Sequence, residues 1–394
     1  MTISANTVFE VRLAGSDSNG GGFVTGATGT DRSQQNSAQA TLSTASVIAA
    51  STDTINVSAL DYTVVSADVG NILQITGGTA TAGFYQILSV NTGTNSWTLD
   101  RAAGTTAQTV VGKMGGALGS PGKAAGAMVQ GNQTFIQYNA SPYVITTATT
   151  NVSGGCMSPQ DTTYLIGYET TRQIGVLGEN RPTLQLQAGV TSATIEGPIN
   201  GGHFTGNIIY DGNSQTGSQG WRTSGIAFNL KVMNCLTSGI KENIAGARAD
   251  LCEVTLCQTQ PMQISHPTGC SVHDNTNSGA ALVVVERAVN CISYNNDQGG
   301  FSSSQSGHCI GCVAYNNGGA GFDPHNNDMS LTNCISEGNG TFGYLVNAGS
   351  IAMTNCAAFG NVSGRFHNNA GGFVWYDLNP FNASSSYFVA PGSG

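Results

Sequence analysis

Cys291-Ile292-Ser293-Tyr294-Asn295-Asn296 is followed one period later by Cys312-Val313-Ala314-Tyr315-Asn316-Asn317, and this recurrence decides the fold. The same frame returns at Cys270, Cys334 and Cys356, so the steps between cysteines are 21, 21, 22 and 22 residues. Five positions after each cysteine stands an asparagine: Asn275, Asn296, Asn317, Asn339 and Asn361. Nine positions after the first four stands a glycine, at Gly279, Gly300, Gly321 and Gly343. The next position holds Ala280, Phe301, Phe322 and Tyr344, and in the fifth repeat Phe366.

A period of this length without helical spacing is one coil of a parallel β-helix, in which short strands joined by turns bury their inward side chains against the next coil. Coils stack about 4.8 Å apart, so equivalent residues form columns. Stacked asparagine amides can donate to and accept from one another, and cysteine is small enough to repeat inside a narrow bore. The glycine is expected to supply positive φ at a corner. A leucine-rich repeat has a similar period, but its leucine skeleton is absent.

Composition agrees. Of 394 residues, 54 are glycine, with no three-residue period, and only 13 are basic against 22 acidic. A net charge of −9 excludes a phosphate-binding nucleic-acid surface. No apolar run is long enough to span a membrane, and the amino terminus carries no secretory signal pattern. Nine of the ten cysteines fall between Cys235 and Cys356. They read as free buried thiols in a chain folded under reducing conditions. Cys309 and Cys312, with His308 beside them, make one C-x-x-C, but no second ligand pair supports a metal site. No cofactor is expected.

Outside the repeat, residues 1–40 read as an extended arm for docking on another subunit, including Asp17–Phe23 and Asp31–Gln35. Residues 41–115 read as a small β barrel or sandwich, with strands at Thr54–Val57, Ile72–Ile75, Phe84–Leu88 and Ser96–Leu99 and a hairpin turn at Gly77-Gly78. Residues 116–372 carry the β-helix. Ser120–Val129 is expected to form a capping helix with proline near its start, and Gln133–Ile136 the first strand. Cys235, Cys252 and Cys257 precede the regular repeat by broken steps, implying a shorter or looped coil around Lys241–Asp250. Residues 373–394, rich in aromatics, read as a cap or interface segment.

The coils, the arm and the Ala67-Asp68-Val69-Gly70…Leu99-Asp100-Arg101 module together resemble the right-handed parallel β-helix (pectate-lyase-like) virion proteins of tailed bacteriophages. The resemblance implies folding in the host cytoplasm, location on the virion, and a homotrimer in contact with other capsid or tail proteins. It further implies a non-enzymatic decoration, spike or fibre component. A tailspike depolymerase acting on host surface polysaccharide, or a glycan-binding adhesin, stands as the alternative.

The residues constrain that alternative. A lyase needs a base and clustered acids, yet the last lysine is Lys241, and Arg287 and Arg365 are the only arginines of the regular coils. A hydrolase needs two carboxylates about 5–9 Å apart, and Asp323, Asp328 and Glu337 are the candidates. Asp323 beside Pro324 equally suits a turn carboxylate bonded to local backbone. His273, Tyr294, Tyr315, Glu337 and Phe359 occupy one column, either an outward strip for sugars or an interface with a sister chain. His266, His308 and His325 read as turn or core histidines.

Overall fold

Nearly every regular element is a strand; among the described residues only the helix Pro121–Ala127 and the 3-10 turn Ser66–Asp68 depart from this. The computed structural model describes residues 3–48, 53–104, 107–129, 131–146, 149–151, 163–178, 180–190, 194–196, 203–223, 225–242, 246–277, 279–325, 327–369 and 374–377. Contacts divide the chain into two units: Met1–Val144 with Asn151–Thr183, and Ile145–Thr150 with Leu184–Gly394.

In the first unit, Ala40–Ile48, Thr54–Asn56, Ser96–Leu99, Gly83–Asn91, Ile72–Gly78 and Gln108–Met114 close into an antiparallel barrel in that order. Of barrel and sandwich, the chain forms the barrel. Alternation turns Leu42, Ile55, Leu73, Ile87, Trp97 and Val110 into its core. Gly77 and Gly78 are strand residues paired with Val111 and Val110, rather than the expected hairpin turn; a register shift falls between Ile75 and Gly77. Asp68 is fully buried. It accepts hydrogen bonds from the Tyr62 hydroxyl (2.8 Å), Trp97 Nε1 (3.0 Å) and Val65 N (3.1 Å), with Arg32 at 3.4 Å. Burial, and then the Asp68 carboxylate, push the Tyr62 hydroxyl up to about 12.

The stretch expected to be an extended arm is built into its own chain. Thr7–Val11 pairs in parallel with Gln133–Gln137 and antiparallel with Gly22–Val24. Glu10, the fourth residue of this strand, is fully buried. It meets Arg12 and Arg172, each at 2.7 Å, and the Tyr168 hydroxyl, while Arg172 also reaches Asp31 at 2.9 Å. An unpaired carboxylate there would be costly to bury, so this network fixes the arm. The expected helix forms with Ser120 as its N-cap and Pro121 as its first residue.

The second unit is a β-helix of three parallel sheets. One coil runs Arg287–Val289 (first sheet), Ile292–Tyr294 (second) and Phe301–Ser303 (third), then returns to the first at Gly307–Ile310. The asparagine ladder is as expected: Nδ2 of Asn275, Asn296, Asn317 and Asn339 donates to Oδ1 of the next asparagine at 2.8, 2.8, 3.0 and 2.9 Å. The same oxygens also accept from the backbone N–H of the preceding ladder residue.

Three expectations are corrected. Gly300, Gly321 and Gly343 do not take positive φ. They are needed for close approach, since a Cβ on Gly321 would lie 2.1 Å from Ser336 Oγ and 2.9 Å from Asn339 Nδ2. Positive φ occurs instead at two corners flanking the second sheet, as at Asn290 and Asn295, or Asn333 and Gly338. Secondly, Leu282 and not Ala280 is level with Phe301, because that coil carries a small insertion after Asn275. Thirdly, the broken cysteine steps have a simple cause. Leu230, Cys252 and Cys270 share the cysteine column, whereas Cys257 lies in the asparagine column, its N–H donating to Asn275 Oδ1 at 2.8 Å. The short step is therefore the one between Glu253 and its partner Ser271.

Of the expected carboxy-terminal segment 373–394, only the backbone of Val374–Asp377 is described, and it adds one more rung beside Ser350–Thr354. Its remaining residues, and Cys156, lie outside the described residues.

Candidate functional site

From Ile209–Asp211 onward each strand of the second sheet is three residues long, and its middle residue faces the bore while its two ends face out. Val272, Ser293, Ala314 and Ser336 are the buried middles. Register then places His273, Tyr294, Tyr315, Glu337 and Phe359 in one outward column. Beside it runs a second column: Ser271, Ile292, Val313, Ile335 and Ala357. His273 and Tyr294 stack with centroids 4.6 Å apart and Tyr294 and Tyr315 at 4.8 Å, nearly parallel at 9° and 1°. Both faces of Tyr294 are thus occupied by neighbouring rings. A sugar stacks on a ring face, so this column offers it mainly edges and hydroxyls.

Below Ser271 the second column becomes charged. Glu253 meets Lys231 at 2.7 Å and His273 Nε2 at 3.2 Å, while His273 Nδ1 meets Asp274 at 2.8 Å. Burial raises the Glu253 carboxyl, but Lys231 and His273 outweigh it and hold the group below its ordinary range.

The three candidate carboxylates are not brought onto one sheet. Asp323 ends a strand of the third sheet (Phe322–Asp323), Asp328 begins one of the first (Asp328–Thr332), and Glu337 ends one of the second (Ile335–Glu337). Asp323 is buried and occupied: it accepts from the His325 N–H (2.8 Å) and Asn347 Nδ2 (3.2 Å) and meets His325 Nδ1 at 2.9 Å. That hydrogen bond to Asp323 raises the His325 pKa. The carboxylate thus shapes the turn, as its place beside proline suggested. Asp328 is exposed and accepts from Ser350 Oγ at 2.6 Å, and Glu337 is exposed on the second sheet.

Sequence reasoning missed a groove where the chain passes from the third sheet to the first. It measures about 540 Å³ and is lined by Val285, Glu286, Gln305, Ser306, His308, Asn327 and Asp328. Glu286 meets His266 at 3.2 Å, and His308 Nδ1 bonds Ser330 Oγ. The available signal was the polar connection 304–306, which lifts Gln305 and Ser306 clear of the stack.

The nine described cysteines form no disulfides, and all but the half-buried Cys356 are buried. Cys309 and Cys312 lie in the interior whereas His308 is exposed, so the C-x-x-C does not converge with its histidine. Hydrogen bonding to Cys312 and burial raise the Cys309 thiol well above its ordinary value, and burial does the same for Cys270. Protonated thiols are poor nucleophiles and ligands. Among the described residues no three His, Cys, Asp or Glu side chains gather as a metal site, and no helix is long and apolar enough to cross a membrane.

Three parallel sheets wound as stacked coils, with an asparagine ladder inside one turn, define the class: a parallel β-helix. No protein-family profile and no curated protein sequence matches the chain. Among solved structures it is similar to the enzymatically active domain of tailspike protein 2 of bacteriophage CBA120, at 12% identity over 77% of this chain and 54% of that one (TM-score 0.44). It is similar to ORF18 of Geobacillus virus E2 at 10% identity, covering 65% of this chain and 57% of that one (TM-score 0.40). A third is the A-module of the Azotobacter vinelandii mannuronan C-5 epimerase AlgE4, at 9% identity over 63% and 91% (TM-score 0.37).

Proposed function

We propose that this chain is a non-enzymatic structural component of a tailed-phage virion: a homotrimeric decoration, spike or fibre protein on capsid or tail. The virion part of the reading rests on the sequence resemblance of the arm, the small β module and the coils. The observation that carries its non-enzymatic part is the fate of the carboxylates. Asp323 is spent on its own turn, and Asp328 and Glu337 stand on different sheets. Repetition here serves stacking, and the resulting body is rigid because every rung repeats the same bonds.

Two measurements test it. Incubation with purified envelope polysaccharide from candidate hosts is expected to release no new reducing ends; release abolished by Asp328→Asn or Glu337→Gln would favour a depolymerase instead. Mass spectrometry and antibody labelling of purified particles are expected to find the chain on the virion. A second reading, glycan binding without cleavage, is favoured by the corner groove, where Gln305, Ser306 and Asn327 offer uncharged donors and acceptors suited to hydroxyls. Binding to a glycan array lost in Gln305→Ala would support it.

A further inference from the structure

We propose that the outer face of the second sheet is the surface on which copies of this chain pack, side by side and pointing the same way, so that each rung meets its equivalent. This rests on the homotrimer of the preceding reading and names its contact face.

The face carries a continuous run of apolar side chains, one rung above another. Ile292, Val313, Ile335, Tyr294, Tyr315 and Phe359 project from successive rungs, and Ile292, Ile335 and Phe359 are 39%, 37% and 43% exposed. Two rungs below Ile292, Leu251 and Leu256 flank the strand Glu253–Thr255 with φ of 55° and 54° and are 45% and 51% exposed. The same two corners elsewhere hold Asn, Asp or Gly, including Asn290, Asn295, Asn333 and Gly338. A leucine in the left-handed region costs roughly 1–2 kcal/mol. Strain of this kind, kept for two exposed apolar side chains on one rung, marks a contact.

Charge and spacing point to a second copy as the occupant. Every copy carries −9, so approach is easiest where charge is least, and from Ser271 to Phe359 the only carboxylate among the outward residues of the two columns is Glu337. Below that stretch lie Lys231 and Glu253 on adjacent rungs. The two pair with each other inside the chain at 2.7 Å; copies running the same way leave this pair beside its equivalent, whereas copies running opposite ways would press it against Ile335 and Phe359. A ladder repeating about every 4.8 Å is matched along its length by another such ladder and not by an irregular globular surface.

Light scattering on the full chain is the first test, with three chain masses expected. Ile292→Lys with Ile335→Lys should reduce this to one chain mass while circular dichroism and melting of the coils persist; Ile226→Lys, on the first sheet, should change nothing. Single Ile292→Cys and Ile335→Cys variants, conservative in the fold, should each cross-link to themselves under mild oxidation. A wild-type chain of single mass overturns the trimer and the face together. Assembly that survives the double lysine variant overturns the face alone. Cross-linking found only in a mixture of the two cysteine variants overturns the common direction.

Discussion

The barrel and the β-helix bury polar side chains in opposite ways. In the barrel, Asp68 alone gathers Tyr62, Trp97, Val65 and Arg32 around one carboxylate. In the β-helix the same task is spread along Asn275, Asn296, Asn317, Asn339 and Asn361, each bonded to the next. A closed antiparallel barrel has no repeat, so one residue can be a keystone. A stack is a sum of rungs and nearest-neighbour terms, so no single rung should be decisive.

The largest effect is expected from removing the keystone. Asp68→Ala leaves Tyr62, Trp97 and Arg32 without their shared acceptor and should destabilise the barrel by about 3–5 kcal/mol. Hydrogen exchange should show barrel amides losing protection while amides of residues 287–359 keep theirs. Equal loss in both regions would break the comparison.

Acid should do the reverse. His203 is fully buried, and burial lowers its pKa from 6.5 to about 4. The folded state holds it neutral, so its contribution is complete above pH 6.5 and is lost as pH falls through 6.5 towards about 4. The full shift corresponds to roughly 3 kcal/mol, and His203→Gln should flatten the pH dependence of the melting temperature in that window.

Within the ladder, position should set the cost. Asn317→Ala removes the Oδ1 that accepts from the backbone N–H and side-chain amide of Asn296 and the Nδ2 that donates to the carbonyl of Ser293, all in the interior, a loss of about 2 kcal/mol. Asn361→Ala, on a half-buried residue, should cost about half as much, because water can replace its bonds. Equal costs at both sites, read from denaturant midpoints, would argue against rung-by-rung addition. The smallest effect is a gain. Leu256→Asn relieves a left-handed leucine and should stabilise the β-helix by about 1 kcal/mol, at protein concentrations low enough to exclude association.

How much was legible varied with the interaction. The columns Cys270–Cys356 and Asn275–Asn361 could be read because a neighbour in the stack is a neighbour one period away in the sequence. The glycines were legible as positions but not in their cause, because the approach of Gly343 to Gly321 is set by how closely coils pack. Cys257 was misplaced because a cysteine in the asparagine column looks, in one dimension, like a ladder cysteine out of step. The corner groove left only the faint trace of a polar loop.

The sequence by itself determined the period, the residue types of each column and the presence of a separate β module, since these follow from local repetition and turn chemistry. Only the tertiary structure decided that the module closes as a barrel, that Thr7–Val11 pairs with Gln133–Gln137, and that His273, Tyr294 and Tyr315 face outward with Asp323, Asp328 and Glu337 on separate sheets. Each of these depends on which residue of a short strand faces the bore, or on pairing between segments far apart in the chain. Neither leaves a periodic mark, because a shift of one residue reverses every side chain while leaving the composition unchanged.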